Sequence, residues 1–242
     1  MIEINDLCKS YFIKQKEIKA LSNLNLHINE GEIFGLLGPN GAGKTTTIKI
    51  LSTLTRPSSG TARVAGFDCV KQSILVRRNI GVVLSMTMIY HRLTGRANLR
   101  FFGKLYGVEN LDKQIEKLAD FFDMRDKLDL LVETYSTGMR AKLALMRGMI
   151  HDPPVLFFDE PTLGLDPTSA KKLRDKIIQL KKMKKTILLC THHLSEADHL
   201  CDRIGILRKG ELVAADTPAN LRNRVGKQKS LEDVYHYYVG QK

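Results

Sequence analysis

The sequence predicts an α/β fold built on a mostly parallel sheet, with an antiparallel β part at the N-terminus and an inserted helical block. Three observations predict it. Short, continuously apolar runs at Ile33–Leu37, Ile80–Leu84, Val155–Phe158 and Thr186–Cys190 read as strands buried on both faces. Segments with helical periodicity lie between those runs, the arrangement that parallel strands require. The first 30 residues instead alternate in strand fashion, at Ile2 and Ile4, then at Leu21, Leu24, Leu26 and Ile28.

The elements follow in order. Asn29-Glu30-Gly31 is a turn. After the strand Ile33–Leu37 comes a glycine-rich loop, then a helix over Thr46–Leu54 that stops before Pro57-Ser58-Ser59-Gly60. Thr61–Phe67 suggests a short strand. From about Met86 to Asp152 the pattern is helical. Thr94 caps a helix through Tyr106 that Gly107 ends, and Leu111–Met124 places Ile115, Leu118, Phe121 and Phe122 on one side. Met139–Ile150 is a third helix, and Ala170–Met183 is amphipathic through Leu173, Ile177 and Leu180. Arg203–Leu207 and Glu211–Ala215 form a hairpin about Lys209-Gly210. Near the C-terminus, Ser230 and Asp233 resemble a helix cap.

These elements divide one domain of 242 residues. About 1–85 and 153–217 form the core with its antiparallel part, about 86–152 the helical subdomain, and about 218–242 a helical tail. No apolar run approaches the roughly 18 residues of a membrane helix, and the start Met1-Ile2-Glu3-Ile4-Asn5-Asp6 has no secretory pattern. The net charge of +12 attracts phosphate in some form: nucleotide, nucleic acid or anionic lipid. Cys190, His192, His193, His199 and Cys201 cluster in sequence, but the usual zinc spacings are absent and Cys190 ends an apolar strand. The cluster is therefore not read as a zinc site.

Gly38-Pro39-Asn40-Gly41-Ala42-Gly43-Lys44-Thr45 matches G-x-x-x-x-G-K-[ST] between a buried strand and a helix, the context that its mechanism needs. The glycines let backbone N–H groups wrap phosphate oxygens, and the helix starting near Lys44 points its positive end at them. Lys44 would reach the β and γ phosphates, Thr45 a Mg²⁺ ion, and Thr46 the α phosphate. The strand Val155–Phe158 delivers Asp159 to the same Mg²⁺ and Glu160 to the attacking water. No N-K-x-D guanine-reading motif occurs, which favours ATP over GTP.

These motifs, with Tyr135-Ser136-Thr137-Gly138-Met139 before Asp159, Leu163-Gly164-Leu165-Asp166 after it, and His192 closing the next strand, resemble the ATPase subunit of an ATP-binding cassette (ABC) transporter. The likeness covers nearly the whole chain and implies a P-loop NTPase fold. It implies that Tyr11 stacks on adenine, with Phe12 as a rival, and that Ser136, Thr137 and Gly138 face the γ phosphate of ATP held by a second subunit. Asp166 resembles the residue that couples the two sites, and His192 the switch histidine that acts with Glu160. His193 matches no role. The resemblance further implies a homo- or heterodimer, a separate transmembrane permease docked near Ser85–Gly107, and a peripheral place on the inner face of the cell membrane.

Two departures stand out. The usual L-S-G-G-Q signature is here Tyr135-Ser136-Thr137-Gly138-Met139, a form that resembles the drug and antibiotic exporter branch. Ser85 stands where the family usually places a glutamine that meets Mg²⁺ and water. Ser85 is too short to copy that reach, Gln72 is no obvious substitute, and slower hydrolysis follows. An alternative reading is a soluble ABC-type ATPase on nucleic acid or ribosomes, invited by the eight basic residues of Lys171–Lys185. Those residues lie opposite the Leu173–Ile177–Leu180 stripe and no inserted coiled coil or second cassette occurs, so no direct nucleic-acid partner is expected. A nucleotide-regulated binding module with little turnover is a further alternative, supported by Ser85 alone.

Overall fold

The computed structural model describes residues 1–14, 16–84, 89–226 and 229–240. Among the described residues, ten strands form two sheets. The first is antiparallel, in the order β2 (Lys16–Ile28), β1 (Ile2–Ile13), β4 (Ser59–Val64), β5 (Phe67–Asp68). The second runs β10 (Glu211–Asp216), β9 (Arg203–Arg208), β3 (Ile33–Leu37), β8 (Thr186–Cys190), β7 (Val155–Asp159), β6 (Ile80–Val83). Its strands are parallel except β10, which pairs antiparallel with β9 through the expected hairpin.

The apolar runs form strands because both faces of the second sheet are covered. Along β3, Ile33 and Leu37 enter one core while Phe34 and Leu36 enter the other. Along β7, Leu156 and Phe158 alternate with Val155 and Phe157 in the same way. One core lies against the helices. The other fills the space between the two sheets and buries Ile2, Leu26 and Ile28 from the antiparallel part.

Nine helices accompany the strands among the described residues. They are α1 (Lys44–Leu51), α2 (Ser73–Arg78), α3 (Gly95–Leu105), α4 (Leu111–Phe121), α5 (Thr137–Met149), α6 (Pro167–Lys182), α7 (Leu194–Leu200), α8 (Pro218–Val225) and α9 (Leu231–Gly240). α3 to α5 lie between β6 and β7, strands that pair with each other. At α9, Asp233 Oδ2 accepts from Ser230 N while Ser230 Oγ accepts from Asp233 N, a reciprocal cap.

Several boundaries differ from the sequence reading. α1 starts two residues early and ends at Leu51, because Thr53 turns left-handed at φ +64°. The strand expected over Thr61–Phe67 is split into β4 and β5 by Ala65 and Gly66, both with positive φ. α6 begins at Pro167, because Asp166 accepts from the Thr168 and Ser169 amides and caps it. The short helices α2 and α7 carry no signal in the sequence reading, while α8 and α9 both lie in the segment expected as a helical tail.

The parallel neighbours β3, β8 and β7 end at one edge of the sheet. The glycine-rich loop leaves β3 there, Asp159 ends β7, and Thr191 with His192 follows β8. Strand C-terminal ends are where α/β sheets gather ligand-binding loops.

Candidate functional site

The loop after β3 is sterically defined. A Cβ at Gly38 would lie 2.4 Å from the Leu207 carbonyl oxygen, so only glycine fits beside β9. Gly43 holds φ +113°, and a Cβ there would lie 2.6 Å from the Ala20 carbonyl oxygen. The chain then enters α1 at Lys44. This side chain is buried and folds back over its own loop, donating to the carbonyls of Gly38 and Pro39. Tyr11, Ala20, residues Pro39 to Thr46, Asp159 and Glu160 line a cleft of about 370 Å³.

On the far wall Thr45 Oγ1 lies 3.2 Å from Asp159 Oδ2. Burial holds the Asp159 carboxyl above the usual carboxylate range, and the Thr45 hydrogen bond partly offsets this. A hydroxyl and a carboxylate are hard oxygen donors and match the preference of Mg²⁺.

Glu160 follows Asp159 with a left-handed backbone, φ +52°, and its N–H donates to Cys190 O of β8 at 2.9 Å. Glu160 Oε1 lies 2.7 Å from His192 Nδ1. Sequence reasoning missed what stands behind this pair. The carboxylate of Glu196 on α7 is almost fully buried and accepts from Thr162 Oγ1 and Thr191 Oγ1, each at 2.9 Å. Thr191 Oγ1 is also 3.3 Å from Glu160 Oε2 and accepts from His193 N. One buried carboxylate thus joins the loop after β7 to the loop that carries His192. Glu196 gave no sequence signal because it occupies a core-facing position beside Ala197 and Leu200 on a seven-residue helix.

The sequence pattern of the ABC transporter family matches residues 21–163. The chain belongs to this family.

The ABC transporter ATP-binding protein NatA of Bacillus subtilis is 43% identical over 88% of this chain and 88% of its own length. The daunorubicin/doxorubicin resistance ATP-binding protein DrrA of Streptomyces peucetius is 40% identical over 93% of this chain and 68% of its own length. A solved ATP-binding subunit of an ABC transporter covers 98% of this chain and 99% of its own, at a TM-score of 0.87 and 29% identity. The dimeric bacterial cassette MJ0796 covers 90% and 98%, at a TM-score of 0.81 and 25% identity. The chain is an ATP-binding subunit of the ABC transporter kind, an ATPase with the P-loop fold expected from its sequence.

The remaining candidate residues of this ABC subunit lie elsewhere. Ser136 caps α5, accepting from Met139 N at 3.3 Å, and the Tyr135 hydroxyl anchors the segment by donating to Lys127 O at 2.6 Å. Ser136 and Gly138 share a recess with Lys142, Ser169 and Lys172, and Thr137 faces another beside Arg140 and Glu160. None of Ser136, Thr137 and Gly138 lines the Lys44 cleft. Asp166 is exposed, and its bonds to Ser169 and Thr168 hold its carboxyl below the usual range.

Tyr11 reaches the Lys44 cleft, whereas Phe12 is 75% exposed and does not line it. Gln72 lies at the start of α2, where its side-chain carbonyl accepts from Asp68 N. Ser85 lies outside the described residues. Cys190 and Cys201 are buried with thiols pushed up by burial, so they are not available ligands beside the histidines. The basic run Lys171–Lys185 is partly internal: Lys181 on α6 pairs with Asp202, and Lys185, just before β8, is buried against the Asp152 carboxylate and the Pro153 carbonyl. No helix among the described residues is long and apolar enough to cross a membrane.

Proposed function

We propose that this ABC subunit binds ATP in the Lys44 cleft, hydrolyses it with Glu160 and His192, and powers export through a separate transmembrane permease. The observation that carries the reading is the convergence of the glycine loop, the Thr45–Asp159 pair and the Glu160–His192 pair at one sheet edge.

Gly38, Pro39, Asn40, Gly41, Ala42 and Gly43 wrap the phosphates with backbone N–H groups. Lys44 leaves the Gly38 and Pro39 carbonyls for the β and γ phosphates. Thr46 meets the α phosphate, and Tyr11 stacks on adenine. Thr45 and Asp159 would hold Mg²⁺, which supplies charge neutralisation at the phosphates when bound. Glu160 positions or deprotonates the attacking water, and His192 contacts the γ phosphate and orients Glu160.

Ser136, Thr137 and Gly138 at the start of α5 serve the ATP of a second subunit, which explains why they lie apart from the Lys44 cleft. Asp166 couples the two sites. ATP then joins two copies, or this chain and a close relative, and hydrolysis separates them. The permease docks on the helical block, where Tyr90, Leu93, Phe101, Leu105 and Tyr106 expose apolar surface. The subunit works from the cytoplasmic face of the membrane. Export is favoured by likeness to a fluoroquinolones export ATP-binding protein of Mycobacterium tuberculosis, 41% identical over 84% of this chain and 67% of its own length.

Phosphate release from Mg-ATP should be stimulated by proteoliposomes carrying the permease, and Lys44→Ala should lose ATP affinity itself. Stimulation by DNA or RNA, with none by membranes, would favour the nucleic-acid alternative.

A further inference from the structure

His193 has no part in the reading above, yet its ring lies beside the catalytic pair. The ring centroids of His192 and His193 are 4.1 Å apart at 36°. Consecutive side chains of an extended segment point to opposite faces. Here His193 leaves the strand to cap α7, and its N–H donates to Thr191 Oγ1, which brings both rings to one side. One donor atom from each of Glu160, His192 and His193 lies within 4.8 Å of the other two.

We infer that Glu160, His192 and His193 form a binding site for a divalent transition ion of the Zn²⁺ class, and that its occupation stops hydrolysis. Two imidazoles and one carboxylate are a recurrent three-ligand set for Zn²⁺, with water in the fourth position. Tetrahedral coordination at about 2.0–2.1 Å puts donors about 3.3 Å apart, between the 2.7 Å of the Glu160–His192 contact and the 4.8 Å limit of the cluster. Both histidines are exposed, so their rings can converge and an ion can enter from solvent. If Nδ1 of His192 becomes a ligand, its proton passes to Nε2 through solvent, and the imidazole stays neutral.

The site is separate from the Thr45–Asp159 pair, whose oxygen donors suit Mg²⁺. It removes the carboxylate and the ring that hydrolysis needs. Binding requires no assumption about catalysis, whereas inhibition rests on the role proposed for Glu160.

The test uses the full chain in a Cys8→Ser background, since Cys8 is the one thiol of the four that is not buried. Zn²⁺ is titrated by calorimetry into nucleotide-free protein, and Co²⁺ is followed by its visible absorption. One site is expected, weakened about tenfold or more by His193→Asn. Mg-ATP hydrolysis is then measured at buffered free Zn²⁺. His193→Asn should keep basal turnover within about twofold and need about tenfold more Zn²⁺ for half inhibition. Equal affinity and equal inhibition in the two proteins would overturn the site, as would no binding to the parent at about 100 μM. His193-dependent binding with Mg-ATP hydrolysis that bound Zn²⁺ does not slow would support the site and overturn its inhibitory effect, and with it the hydrolytic role proposed for Glu160.

Discussion

His192 Nδ1 lies 2.7 Å from Glu160 Oε1, while Glu160 itself holds a left-handed backbone at φ +52°. Such a conformation costs a non-glycine residue about 1–3 kcal/mol and persists where the surroundings enforce it. Here the Glu160 N–H bond to Cys190 O enforces it from the adjacent strand. The carboxylate is thereby turned toward the loop after β8. His192→Ala should lower kcat by about 10²-fold or more, the scale of a lost acid–base partner, with KM for ATP nearly unchanged. Steady-state phosphate release checks this.

Glu196 holds two buried hydroxyls, Thr162 and Thr191, that flank Glu160 and His192. Glu196→Ala takes this acceptor from both; Thr191 keeps its contact with Glu160, whereas the loss at Thr162 costs about 1–3 kcal/mol. Denaturant unfolding should show that loss, and kcat should fall about tenfold as Thr191 no longer orders the His192 loop. Glu196→Gln keeps hydrogen-bonding capacity at the same place and should recover most of the stability.

His151 supplies a pH dependence far from the site. Its ring stacks on Tyr106 at 3.8 Å between centroids, its Nε2 meets Ile80 O at 3.0 Å, and burial lowers its pKa from 6.5 to about 4. The unfolded chain therefore binds the proton more readily. Stability from this group is present above pH ~6.5 and is lost as the pH falls toward ~4, by about 3 kcal/mol at most. His151→Asn should flatten the dependence of unfolding free energy on pH across that window. Parallel slopes in the two proteins would contradict it.

The fold was legible wherever one physical signal dominated. The strands β3, β7 and β8 are buried on both faces, so their apolar runs needed no context. The hairpin about Lys209-Gly210 was legible from its turn, where both residues have positive φ. α7 escaped notice because Glu196 breaks its apolar pattern, and its partners lie 34 and 5 residues away in the chain. Asp166 was read for its likeness to a coupling residue, which hid its local work as the cap that starts α6. The helical tail expected from about 218 is two helices, α8 and α9; Thr217 and Pro218 mark the start of α8, and Gly226 at φ +155° follows its end. The glycine loop, Asp159, Glu160 and His192 were legible because each ends or follows a strand. The buried hydroxyl network behind them was not, since a hydroxyl–carboxylate contact leaves no pattern in a single sequence.

The role proposed for Glu160 lies in hydrolysis, not in ATP binding or in joining two subunits. Its most direct test compares wild type with Glu160→Gln, measuring single-turnover ATP hydrolysis and assembly state by light scattering in the same samples. Glu160→Gln should hydrolyse ATP at least about 10²-fold more slowly, with ATP-dependent dimers that persist in the variant and dissociate after turnover in the wild type. Hydrolysis by Glu160→Gln at the wild-type rate would contradict it.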